Sequence, residues 1–143
     1  MRRTKITAFI AFTAVFTFLS FTPLEGGKSL EIENPQAGPV TANFIGIGGM
    51  IFQPGQQVEI KWNLQGRGVR YFETHIWGEC ELFFSADGGE TWARITPQMS
   101  VSRRSHAWTV PNVSTEQGVL ALQIGIEGEG EFHILPSEKF SIQ

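Results

Sequence analysis

Residues 57–64 read QVEIKWNL, and this stretch decides the fold class. Apolar and polar residues alternate through it, the apolar set being Val58, Ile60, Trp62 and Leu64. A period of two is typical of a β-strand that turns one face to a core and the other to water. The stretch therefore predicts a strand, with Trp62 on its buried face.

The same alternation recurs in other short segments of the chain. These segments are SLEIE (29–33, with Leu30 and Ile32 inward), HAWTV (106–110, with Trp108 and Val110 inward), VLALQIGI (119–126) and KFSI (139–142). Turn-forming clusters such as QPGQ (53–56), QGRG (65–68) and EGEGE (127–131) separate them. No window beyond the N-terminal segment has a clear helical stripe. The pattern predicts an all-β chain folded as an antiparallel β-sandwich.

The N-terminal segment has the layout of a secretory signal peptide. Arg2, Arg3 and Lys5 precede an apolar run from Ile6 to Phe21. No A-x-A triplet follows the run, so a retained N-terminal anchor is the alternative, although the run is slightly short for a spanning helix. We predict a signal peptide or anchor over residues 1–26 and one domain over residues 27–143, secreted or held in the cell envelope.

Charge content narrows the range of partners, and cysteine content limits the possible sources of stability. Removing residues 1–26 takes away three of the 11 basic and one of the 14 acidic residues, which leaves a net charge near −5. Such a surface disfavours nucleic acid and anionic lipid, so membrane contact is expected only through residues 1–26, if they are uncleaved. Cys80 is the single cysteine, so stability has to come from apolar burial and not from an internal disulfide.

The stretch SADGGETW (85–92) carries a Ser, an Asp, a Gly, a Thr and a Trp at the spacing of a tight turn. These are Ser85, Asp87, Gly89, Thr91 and Trp92. Ser and Asp side chains bond nearby backbone groups, and glycine supplies a positive φ. The spacing resembles the Asp-box, which recurs once per blade in sialidases and other propellers. One box in so short a chain excludes a catalytic propeller, and we predict a structural turn between two strands.

A second resemblance covers residues 30–142. The motifs that carry it are QPGQQVEIKW (53–62), LFFSADGGETWARI (82–95), HAWTVP (106–111), LALQIGI (120–126) and SEKFSI (137–142). In this order they resemble immunoglobulin-like or fibronectin type III-like modules of secreted bacterial proteins, and they are similar to the N-terminal module of fungal cell-wall glucan-synthesis proteins. The resemblance implies an immunoglobulin-like sandwich of about seven strands that serves as a spacer, adhesive unit or carbohydrate-associated accessory.

The stretch THIWGECELFF (74–84) provides the candidate binding residues. Its alternation predicts that Ile76, Gly78, Cys80, Leu82 and Phe84 face the core. The opposite face would then carry Trp77, Glu79, Glu81 and Phe83. Exposed aromatics flanked by carboxylates suit sugar stacking or a protein partner. In the alternative, the glycine-rich segment 44–52 folds over the two aromatics, which then stabilise the domain.

Signals for catalysis or metal binding are weak. His75, His106, His133 and Cys80 have no recognised ligand spacing, and a calcium site at Glu127, Glu129 and Glu131 would lack Asp and Asn. No G-x-S-x-G nucleophile elbow occurs. We therefore expect no catalytic residues, no metal and no cofactor. The leading expectation is a non-catalytic binding or structural module with a protein or carbohydrate partner; the alternative is a small secreted hydrolase or a metal-binding protein.

Overall fold

The computed structural model describes residues 38–143, except for the side chains of residues 130–133. The predicted signal or anchor segment and the predicted strand around Leu30 and Ile32 lie outside this range. Within it the chain forms one helix and ten strands: β1 (Thr41–Phe44), β2 (Ile51–Phe52), β3 (Gln57–Gln65), α1 (Val69–Thr74), β4 (Gly78–Ser85), β5 (Ala93–Arg94), β6 (Met99–Ser100), β7 (Ser105–Thr109), β8 (Thr115–Ile126), β9 (Gly130–Pro136) and β10 (Phe140–Ile142). The predicted all-β class is confirmed.

The strands form two sheets. The first has three strands in the order β1-β3-β7, and both of its pairings are antiparallel. The second has seven strands along the order β2-β10-β8-β4-β5, with β6 pairing with β4 and β9 pairing with β8. Among the strands of the described range, β2 and β10 run parallel and all other pairs run antiparallel.

Side chains from both sheets share one hydrophobic core. Trp62 and Trp108, both predicted to be buried, are enclosed in this core. The Trp108 ring on β7 lies 5.6 Å from the Phe84 ring and 6.1 Å from the Phe140 ring, measured between centroids. Because β4 and β10 belong to the larger sheet, these aromatic contacts connect the two sheets through the core.

Strand β8 is buried on both faces, which alternation did not predict. The predicted inward residues Leu120, Leu122, Ile124 and Ile126 are buried, but so are Val119, Ala121 and Gly125 on the other face. β8 is central to its sheet, with β4 along one edge and both β9 and β10 along the other. These neighbours leave β8 with no exposed edge.

The strand number exceeds the predicted figure of about seven. Three strands of the described range, β2, β5 and β6, contain two residues each. Two residues are too few to display a period of two, so hydrophobic alternation does not detect such strands. Their positions are set by hydrogen bonding to longer neighbours, which is a tertiary effect.

Helix α1 was not predicted either. Phe72 is buried in the core, whereas the helix start at Gly68 has no side-chain cap. The helix therefore depends on the burial of Phe72 more than on local capping. It ends at His75, whose backbone is extended. No helix in residues 38–143 is long and apolar enough to cross a membrane.

Candidate functional site

Strand β4 shows the predicted alternation of core-facing and outward-facing residues only from Gly78 onward. Cys80, Leu82 and Phe84 are buried, as the alternation predicted. The prediction for Ile76 was wrong, because this side chain is 85% exposed and not in the core. The reason is local: residues 75–77 form the turn between α1 and β4, so strand alternation does not apply there.

The four predicted surface residues do not form one compact platform. Trp77 is 55% exposed, whereas Glu79, Glu81 and Phe83 are half-buried. Trp77 and Phe83 are six positions apart in extended chain, so roughly 20 Å separates them at about 3.3 Å per residue. A single small ligand cannot stack on both rings.

The far end of this face is occupied by an ion pair. Arg94 on β5 forms a salt bridge with Glu81, and the same arginine lies opposite Phe83 in the strand register. Arg94 also donates to the carbonyl of Thr96 over 2.8 Å. The charge of Glu81 is thereby compensated, which leaves the Trp77 end as the more accessible part of the predicted face.

Segment 44–52 does not cover Trp77. The Ile45 amide donates to the Lys61 carbonyl at 2.9 Å, and the Gly49 amide donates to the Lys139 carbonyl at 2.8 Å. The segment leads into β2, which lies at the opposite edge of the larger sheet from β4 and β5. These bonds hold the segment against β3 and against Lys139, the residue before β10. The alternative in which the segment shields the aromatics therefore does not hold for Trp77.

Trp77 lies instead beside the turn that joins β8 to β9. The β4–β8 register pairs Gly78 with Ile126, and the bond from the Glu127 amide to the Trp77 carbonyl, 3.0 Å, extends it by one pair. This bond places Trp77 and Glu127 side by side along the backbone, although both residues lie in turns. Both Glu127 and Glu129 are exposed.

His75 links Trp77 to the same turn. Its Nδ1 accepts a hydrogen bond from the Trp77 amide at 3.3 Å, and its Nε2 lies 3.9 Å from Oε1 of Glu129. The Trp77 backbone is thus held on both sides while its indole stays exposed. We call the surface formed by Ile76, Trp77, Glu127 and Glu129 the Trp77 surface.

Sequence reasoning missed three of these four residues as members of one surface. The alternation predicts a core position for Ile76, and the spacing of Glu127 and Glu129 indicates no more than a weak calcium site. A signal for the helix was present, since Val69 and Phe72 are three residues apart directly after Gly66 and Gly68. Recognising a helix there would have placed residues 75–77 in a turn.

The stretch 85–92 forms a turn that its own side chains close. Ser85 Oγ accepts from the Gly89 amide at 2.8 Å and donates to Asp87 Oδ1 at 2.6 Å. The Glu90 and Thr91 amides also donate to Asp87 Oδ1, at 3.1 and 2.9 Å, and the Thr91 hydroxyl donates to Oδ2 at 2.5 Å. Gly89 has a φ of 103° and lies close to the half-buried Trp92.

The hydrogen bonds of this turn change the acidity of Asp87. Partial burial alone would raise the pKa of the carboxyl, but hydrogen bonds from Ser85, Thr91 and Glu90 outweigh it and lower the pKa from 3.8 to about 2. The carboxylate is therefore ionised throughout the neutral range and committed to the turn. This arrangement suits a structural role, because the oxygens that would bind substrate already accept bonds from the chain.

Two of the groups considered for catalysis or metal binding have shifted pKa values. Burial raises the pKa of the Cys80 thiol to about 11, so the thiol stays protonated at neutral pH. Burial also lowers the pKa of His106, and Arg103 adds to this effect. Within residues 38–143, no three His, Cys, Asp or Glu side chains are grouped so as to hold a metal ion.

The Trp77 surface can therefore offer apolar contact area and negative charge, both held on hydrogen-bonded backbone. Neither protein-family models nor curated proteins give a match to this sequence.

Proposed function

We propose that this chain is an exported, non-catalytic binding module built on an immunoglobulin-like β-sandwich, acting in the cell envelope or extracellular space. The basic and apolar composition of residues 1–21 supports export. The order of motifs from QPGQQVEIKW to SEKFSI supports the immunoglobulin-like topology. The partner is a protein or a carbohydrate.

The exposure of Ile76 and Trp77 is the observation that carries this proposal. Two adjacent large apolar side chains, 85% and 55% exposed, project from a turn whose backbone is hydrogen-bonded. Exposing them costs free energy in water, at about 25 cal/mol per Å² of apolar surface. Ile76 and Trp77 are consecutive residues, and exposed apolar patches mark interaction surfaces in soluble domains. A partner that covers Trp77 would remove this unfavourable contact with water.

Trp77→Ala separates recognition from stability. The indole is more than half exposed, so we expect the melting temperature of the purified full-length variant to stay within about 2–4 °C of wild type. Binding to a glycan array or to components of envelope extracts should fall by about tenfold or more. A melting temperature that drops as for a core residue, with binding retained, would contradict the proposal.

The matched control is Ile51→Ala. Ile51 is 62% exposed, but it lies on β2 at the opposite edge of the sheet. Removing its side chain deletes similar apolar area far from the Trp77 surface, so this variant should bind as wild type does. Equal loss of binding in both variants would indicate nonspecific apolar adsorption and count against the proposed surface.

A further inference from the structure

We infer that the partner of the Trp77 surface is a protein segment that presents apolar side chains together with Lys or Arg. This inference rests on the proposed function and specifies its ligand class. It follows from three features of the surface: the kind of apolar side chain, the sign of the charge beside it, and the fixed position of the backbone beneath it.

The apolar part of the surface suits a protein better than a sugar. Sugar rings stack on flat aromatic faces and require polar groups around them to meet their hydroxyls. Ile76, the more exposed of the two apolar residues, is aliphatic and branched, so it offers no flat face on which a sugar ring could stack. Aliphatic and aromatic side chains of a protein partner match Ile76 and Trp77 together.

The charge beside the apolar residues is negative. The Glu127 amide is bonded to the Trp77 carbonyl, and Glu127 and Glu129 are both exposed in the turn that follows β8. Glu127 has no ion-pair partner among the described residues, while Glu129 faces His75, which is charged only when protonated. On the neighbouring helix Glu73 already pairs with Arg104. Lysine or arginine from a partner would therefore complement Glu127 and Glu129.

The position of Trp77 limits the entropy lost on binding. Its carbonyl accepts from the Glu127 amide and its own amide donates to His75 Nδ1. The next residue, Gly78, leaves no room for a Cβ, which would lie 2.0 Å from the Phe72 carbonyl oxygen. The turn is thus fixed against α1 and β8 before a partner arrives, as is typical of residues that dominate binding energy.

The experiment selects short random peptides displayed on phage against the purified full-length chain, with a parallel selection against Trp77→Ala. Peptides specific to wild type should be enriched in Lys or Arg next to aliphatic or aromatic residues. A synthetic peptide of that consensus should lose about tenfold or more in affinity with Trp77→Ala. The double variant Glu127→Gln/Glu129→Gln should lose about three- to tenfold, and wild-type binding should weaken when salt is raised to about 0.5 M.

Matched variants test whether the loss is specific. Glu90→Gln/Glu116→Gln removes the same charge from two exposed positions in the turn 85–92 and at the opposite end of β8 from Glu127. This double variant and Ile51→Ala should bind the peptide within about twofold of wild type. Equal weakening by both charge variants would show that net charge alone is responsible, and would overturn the inference.

The remaining outcomes separate this inference from the proposed function. Trp77-dependent binding of glycans, with no cationic peptide selected, would overturn the inference and leave the proposed function standing. Selected peptides that lack basic residues, or that bind Glu127→Gln/Glu129→Gln as tightly as wild type, would also overturn it. Absence of any Trp77-dependent ligand among peptides, glycans and envelope components would overturn both.

Discussion

The carboxylate of Asp87 shows how one residue can organise a whole turn. Within the described residues it accepts four hydrogen bonds, from Ser85, Glu90 and two groups of Thr91. Bonds to an ionised acceptor are about twice as strong as neutral ones, and here they fix the backbone amides of Glu90 and Thr91. The only aspartate of the chain therefore stabilises local structure.

Asp87→Ala should lower the free energy of unfolding by about 1–2 kcal/mol at pH 7. The folded-state pKa of about 2 lies below the ordinary value of 3.8, so the carboxylate contributes full stability above about pH 4. That contribution is lost as the pH falls towards 2. Urea denaturation of wild type and variant at several pH values should show their difference narrowing in acid. A difference that is constant with pH would contradict this role.

Trp108 is a second single residue with a large effect, and it acts through packing. Its ring contacts Phe52, Phe84 and Phe140, and thereby joins the two sheets. Trp108→Ala should cost about 3–5 kcal/mol, which is comparable to the whole stability of a marginal domain. The variant should be insoluble or melt without cooperativity in calorimetry. A soluble variant with a cooperative transition near that of wild type would show that the ring is not central to the core.

At the scale of elements, the contact between α1 and β4 determines where the Trp77 surface lies. Gly78 opens β4, and its backbone passes so close to Phe72 that a side chain cannot be accommodated. The helix in turn is held by the buried Phe72 ring. The turn 75–77 is therefore positioned by packing on one side and by the β8–β9 turn on the other.

Gly78→Ala should separate these two elements. The added Cβ would lie 2.0 Å from the Phe72 carbonyl oxygen, a backbone atom that moves only if the helix moves. We expect a loss of about 1–3 kcal/mol, together with faster amide hydrogen exchange over residues 69–77 than over β3. Unchanged exchange in this range would mean that α1 does not support the turn.

The elements that sequence alone predicts are those whose own residues carry the signal. Ile60 and Trp62 on β3, and Phe140 and Ile142 on β10, alternate clearly and are buried. Strands of two residues have no period, and α1 forms because the core receives Phe72, so neither follows from local pattern. The phase assigned to residues 76–84 was correct from Gly78 and wrong for Ile76, because a helix before the strand was not foreseen.

At the scale of the whole molecule, the candidate surface joins residues from distant parts of the chain. Trp77 precedes β4, whereas Glu127 follows β8, and only the antiparallel register of these strands brings them together. Alternation within one strand predicts which residues share a face of that strand, but it does not contain the cross-strand register. The predicted face therefore included Glu79, Glu81 and Phe83, and omitted the neighbours that Trp77 has.

The most direct test measures how much of an envelope-extract component is retained by the immobilised full-length chain and by its variants. If Trp77 recognises a partner, Trp77→Ala should reduce retention by about tenfold or more, while Ile51→Ala should retain as much as wild type. Melting curves recorded on the same preparations establish that both variants are folded. Retention by a folded Trp77→Ala chain equal to that of wild type would contradict the proposed binding surface.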